Sequence, residues 1–69
     1  MNTNDETGRL LHVNHVAKRM DVSNRVVYNL IQEGELKAIR VGKRALRVTE
    51  SSFNRFLKDR EIDPEEYFA

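Results

Sequence analysis

A chain of 69 residues builds one small domain with a single, marginally stabilising core. With no cysteine it holds neither a disulfide framework nor a cysteine-ligated zinc finger, which fits a reducing, cytoplasmic setting; no apolar run reaches membrane-span length and no signal-peptide pattern is visible, so a soluble protein is expected. The net charge of +1 hides a division: Met1–Ala17 carries one basic residue against two acidic, Lys18–Arg47 eight against three, and Val48–Ala69 three against six.

In chain order, residues 1–8 lack periodicity and read as a flexible tail. Arg9–His12 contains two leucines and suits a short strand or extended lead-in. Val13, Val16, Ala17 and Met20 then fall at i, i+3, i+4 and i+7, the spacing that places all four on one face of a first helix. After the turn Asp21-Val22-Ser23, a second helix places Val26, Val27, Leu30 and Ile31 on an apolar stripe, opposite Asn24, Arg25, Tyr28, Asn29 and Gln32. Ser23 is placed to cap this helix through its hydroxyl, and Gly34 to end it in the left-handed conformation. A helix of about ten residues does not persist alone in water, so the second must pack on the first, leaving its polar side free for a partner.

A basic hairpin follows. Ala38-Ile39-Arg40-Val41 and Ala45-Leu46-Arg47-Val48 alternate in polarity, which predicts Ile39, Val41, Leu46 and Val48 on the core face with Arg40 and Arg47 facing out. Gly42-Lys43-Arg44 makes the connection and puts two cations at its tip. Thr49 is placed to cap a third helix with Phe53, Phe56 and Leu57 at i, i+3 and i+4, and Asp63-Pro64-Glu65-Glu66 carries the cap, first-position proline and carboxylate of a last helical turn. The domain is expected over residues 9–60, with residues 61–69 as an acidic C-terminal segment. The fold expected is mainly α with a small β-hairpin wing, a winged helix-turn-helix. Its basic charge falls on the helix-turn-helix and the hairpin, as a phosphate-facing surface requires.

The run Leu10-Leu11-His12-Val13-Asn14-His15-Val16-Ala17-Lys18-Arg19-Met20, then Val22-Ser23-Asn24-Arg25-Val26-Val27-Tyr28-Asn29-Leu30-Ile31-Gln32-Glu33-Gly34-Glu35-Leu36, resembles the excisionase-type DNA-binding domain related to the MerR winged-helix superfamily. The likeness continues through Ala38-Ile39-Arg40-Val41-Gly42-Lys43-Arg44 and Leu46-Arg47-Val48 to Phe56-Leu57. Three positions depart from the pattern: Asn14-His15 stands for an acidic pair, Asp21 for a turn glycine, and Thr49 for a frequent proline. Aspartate tolerates the left-handed region, so the turn is expected to survive.

The resemblance implies that the second helix enters the major groove. Asn24 and Arg25 are then candidates for base contacts, since asparagine pairs with adenine and arginine with guanine through two hydrogen bonds each. Ser23 and Tyr28 are candidates for phosphates, unless Ser23 is spent on capping or Tyr28 packs on the hairpin. Asn29, one turn beyond Arg25, is a further candidate base reader. In the wing, Lys43 and Arg44 suit insertion toward the minor groove or along phosphates, with Arg40 and Arg47 beside them.

Double-stranded DNA is thus the expected partner, with an integrase or recombinase, or self-association on tandem DNA sites, as a second tier. A cytoplasmic, nucleoid-associated protein follows. The role implied is a recombination directionality factor or prophage regulator, favoured because the chain leaves little room for an effector domain. A small stand-alone transcriptional regulator has the same form. Catalysis is not expected: no nucleophile with a base, phosphate-binding glycine loop or substrate pocket is evident. No cofactor or metal is expected either; His12 and His15 are three apart, and their nearest carboxylates, Asp5 and Glu6, lie in the tail. The rival of another class is a protein-interaction module docking on a recombinase through Tyr67 and Phe68, although those aromatics are expected to fold back on the core.

Overall fold

The computed structural model describes residues 8–68, so the tail expected over residues 1–8 lies, save for Gly8, outside the described residues. The elements in order are β1 (Leu10–His12), α1 (Val13–Met20), α2 (Asn24–Gln32), β2 (Ala38–Arg40), β3 (Leu46–Thr49), α3 (Glu50–Asp59) and α4 (Pro64–Phe68). About half of the chain is helical beside a small antiparallel sheet, the architecture of a winged helix-turn-helix.

Helix α1 buries the face its periodicity marks. Val16 and Ala17 are almost wholly enclosed, Val13 nearly so, and Met20 packs at the edge. The helix closes on Asp21 at φ 58°, ψ 46°. The Asp21 N–H donates to the Lys18 carbonyl (3.2 Å) and the Val22 N–H to the Ala17 carbonyl (3.0 Å), so a left-handed residue satisfies two helix-end acceptors and reverses the chain.

Helix α2 starts where Ser23 takes an extended backbone and its Oγ accepts from the Val26 N–H at 3.3 Å. It ends at Gly34, φ 84°, with the Gly34 N–H on the Ile31 carbonyl (3.1 Å) and the Glu35 N–H on the Leu30 carbonyl (2.8 Å). Val27 is fully buried, and Leu30 and Ile31 pack at the core margin. Val26, expected on the same stripe, is instead 39% exposed. It sits about 100° around the helix from Val27, and α2 packs chiefly on α1, which covers one narrow side.

The sheet order is β1-β3-β2, with β3 in the centre. Leu11 lies opposite Val48, and Val48 opposite Ala38, so these three share the face that meets the helices. Ile39 lies opposite Arg47 and Arg40 opposite Leu46, which corrects the expected grouping of Ile39 and Val41 with Leu46 and Val48. The cause is parity. The Val41 N–H donates to the Ala45 carbonyl (2.9 Å), leaving three residues between them, and an odd-numbered connection pairs positions of like parity across a hairpin.

Thr49 ends β3 and begins α3: its Oγ1 accepts from the Ser52 N–H at 3.3 Å, as the cap expected from the sequence requires. Phe53, 1% exposed, projects from α3 into the core, while Arg19 of α1 lies over its ring at 5.4 Å from the centroid. Phe56 packs at the margin, but Leu57 is 39% exposed and does not complete the expected stripe. Leu36, just after the α2 stop, is 1% exposed and fills the core from a segment without periodic signal.

Helix α4 begins with Pro64 behind Asp63, whose Oδ1 accepts from the Glu65 N–H at 3.1 Å. None of its described side chains is buried. Tyr67 and Phe68 are 68% and 73% exposed and pack edge to face on one another, so the expectation that they fold back on the core is not met.

Candidate nucleic-acid interface

The best-defined polar surface is the outer side of α2. Asn24, Arg25, Tyr28 and Asn29 are all exposed there, with Val27 anchoring the helix from behind. Helical spacing sets Asn24 above Tyr28 and Arg25 above Asn29, each pair four apart, so the four form one contiguous polar strip. Val26, exposed beside Arg25, adds an apolar contact to it. Ser23 stands at the head of the strip with its Oγ engaged by the Val26 N–H. That hydroxyl keeps one donor proton for an outside acceptor. Tyr28 is 49% exposed, so about half of its side chain is open to a partner.

The wing supplies charge. Arg40, Lys43 and Arg44 are exposed, and among the described residues no carboxylate pairs with them or with Arg25. Unneutralised cations on a projecting turn are available to phosphates. Arg47 is different: it is half-buried, and its guanidinium donates to the carbonyl of its neighbour Leu46 at 3.0 Å.

Register also separates two residues that the sequence reading put together. Arg47 stands with Ile39 and His12 on the face of the sheet turned away from Leu11 and Val48. Arg40 stands with Leu46 on the other face, at the open end of β2. The wing therefore offers one arginine on each side rather than a double row. His12, exposed opposite Arg47, is a neighbour that sequence reasoning did not include; only the pairing of β1 with β3 places it there. Arg19, another cation of the basic segment, is committed to the Phe53 ring.

A polar helix anchored from behind, preceded by a capped tight turn on a supporting helix and followed by a cationic hairpin, is an arrangement that places one helix in a groove while the hairpin flanks it. A family model described as a helix-turn-helix domain matches residues 10–61, most of the chain. The chain belongs to the helix-turn-helix domain family. No curated protein matches it. As a helix-turn-helix domain it binds DNA, with α1 as supporting helix and α2 as the second helix of the motif. Helix-turn-helix domains of this family are typically not enzymes. No described helix is long and apolar enough to cross a membrane.

Proposed function

We propose that this helix-turn-helix protein is a sequence-specific DNA-binding factor of excisionase type, related to the MerR winged-helix group, acting in recombination directionality or prophage regulation. The observation that carries the specific reading is the polar strip on α2: four hydrogen-bonding side chains exposed in register on a helix whose opposite side is locked by Val27. In this reading Asn24 and Arg25 meet base edges and Asn29 extends the contact. Tyr28 and Ser23 hold phosphates and set register.

The cations Lys43 and Arg44, which have no carboxylate partner among the described residues, hold the flanking backbone or minor groove, and Arg40 and Arg47 act from the two faces of the wing. The likeness of the whole run from Leu10 to Leu57 to excisionase-type domains supports the finer assignment. Binding to the chromosome or to an inserted element would place the protein at the nucleoid.

The test is recovery of bound fragments from a random-sequence DNA library at two salt concentrations. Enrichment of a short motif with a moderate salt slope supports the proposal. Steep salt dependence without enrichment would replace it with non-specific, architectural binding.

A further inference from the structure

Outside the DNA-facing strip the molecule carries two features of complementary character. The first is a groove of about 690 Å³ between the end of α2, the entry to β2 and the side of α3. Its volume lies in the range of roughly 300–1,000 Å³ typical of concave binding sites. Ile31 and Ile39 give it apolar lining beside Phe56, over whose ring the Arg60 guanidinium lies 4.8 Å from the centroid, and Lys37 and Arg55 supply further cations. Two acids also line it, but Glu35 is paired with Arg60 at 2.8 Å, which leaves Lys37 and Arg55 against Asp59 alone.

The second feature is the C-terminal segment. Glu61, Asp63, Glu65 and Glu66 make it uniformly acidic, with no basic residue among positions 61–69. Ile62, Tyr67 and Phe68 are 53%, 68% and 73% exposed, a density of bare apolar surface that invites a partner. Asp63 caps α4 and Pro64 restrains the backbone before it, so this apolar edge is held as a formed turn clear of the core.

We propose that the acidic, aromatic C-terminal segment of one copy of this chain docks in the basic-rimmed groove of a second copy. Tyr67 and Phe68 would lie against Ile31, Ile39 and the stacked Arg60 and Phe56 side chains, while Glu65 and Glu66 meet Arg55 and Lys37. Charge complementarity selects this occupant. Because every copy carries both halves, the groove of one is filled by the tail of another, and a pair either closes by reciprocal exchange or grows by further copies. None of the nine candidate DNA-contact residues lines the groove, so association and DNA binding are compatible. The inference is independent of the DNA reading, because the association is read without DNA.

Sedimentation of the full chain over micromolar to near-millimolar concentration should show a mass that climbs beyond the monomer and falls back in high salt. Tyr67→Ala with Phe68→Ala removes the tail's anchors; Arg55→Glu reverses the groove's charge. All three positions are exposed, so the fold is retained, as circular dichroism checks. Each variant alone should associate at least about tenfold more weakly, as loss of an interface anchor implies. Their one-to-one mixture should recover a dimer, since one chain keeps its groove and the other its tail. A chain with both halves reversed, Arg55→Glu with Glu65→Lys and Glu66→Lys, should associate with itself again but not with the wild-type chain, because in either direction like charges would meet. A wild-type chain that stays monomeric, variants that associate undiminished, or a mixture that fails to form the dimer would each overturn the proposal. So would nuclear Overhauser contacts showing the tail in its own groove.

Discussion

Ser52 of α3 and Lys37 of the loop before β2 are bound through one hydroxyl. The Lys37 N–H donates to Ser52 Oγ at 3.1 Å, while that oxygen lies 3.0 Å from the Thr49 carbonyl and 3.4 Å from the Lys37 carbonyl, either of which accepts its single proton. One side chain thus ties the head of α3 to the exit from the helix-turn-helix. Removing it leaves the Lys37 N–H and a helix-start carbonyl to water, because the site is only half enclosed. Ser52→Ala should cost about 1 kcal/mol and lower the midpoint by about 4–8 °C in a thermal melt followed by circular dichroism. An unchanged midpoint would show that water replaces the hydroxyl at no loss.

Two left-handed residues close the two motif helices, and they respond oppositely to substitution. At Gly34, φ 84°, an added Cβ meets nothing within 4 Å, so any penalty is purely conformational. Gly34→Ala should destabilise by about 1 kcal/mol, the left-handed strain less the gain from a stiffer unfolded chain. At Asp21, φ 58°, Asp21→Gly should leave stability equal or slightly raised, whereas Asp21→Val should lower it by about 1–2 kcal/mol. Urea unfolding of the three variants measures this order.

Arg25 is exposed and has no carboxylate partner among the described residues, so its loss should not touch the fold. On the enriched DNA site Arg25→Ala should weaken binding by about 1–3 kcal/mol and relax the preference at one base position. Competition against scrambled DNA reads the difference. Equal loss on both DNAs would reassign Arg25 to the phosphates.

Lys43→Ala and Arg44→Ala should weaken binding to all sequences alike. Each should reduce the slope of log affinity against log salt by about one, the signature of a phosphate contact removed. Arg47→Ala should move the slope less, since its guanidinium is already turned onto the Leu46 carbonyl. Fluorescence anisotropy across a salt series distinguishes the three.

The helical part of this architecture was legible in the sequence because its signals are local. The stripe of α1, the Ser23 and Thr49 caps and the Gly34 stop each depend on residues within a turn or two of one another. Val26 and Leu57 were misplaced because a periodic stripe gives a direction but not a width, and neither neighbouring surface is broad enough to cover them. Leu36 and Ser52 were invisible for another reason: a leucine in a loop and a serine on a half-exposed helix acquire their roles only from segments that return to them later in the chain. The polarity of the α2 strip was readable residue by residue, whereas the two-sidedness of the wing depended on pairing register.

That register makes the wing sensitive to length in steps of two. A hairpin lengthened at its tip by one residue would bring Arg40 opposite Arg47 and seat Val48 against Ile39, setting like charges side by side while the strand's buried edge met a new partner. Lengthening by a pair would keep every cross-strand neighbour and merely carry Lys43 and Arg44 farther from the body. Variation in how deeply the paired strands of such a wing reach around a duplex is therefore open to the fold in even increments, whereas an odd residue has to be absorbed by a bulge or by a longer turn.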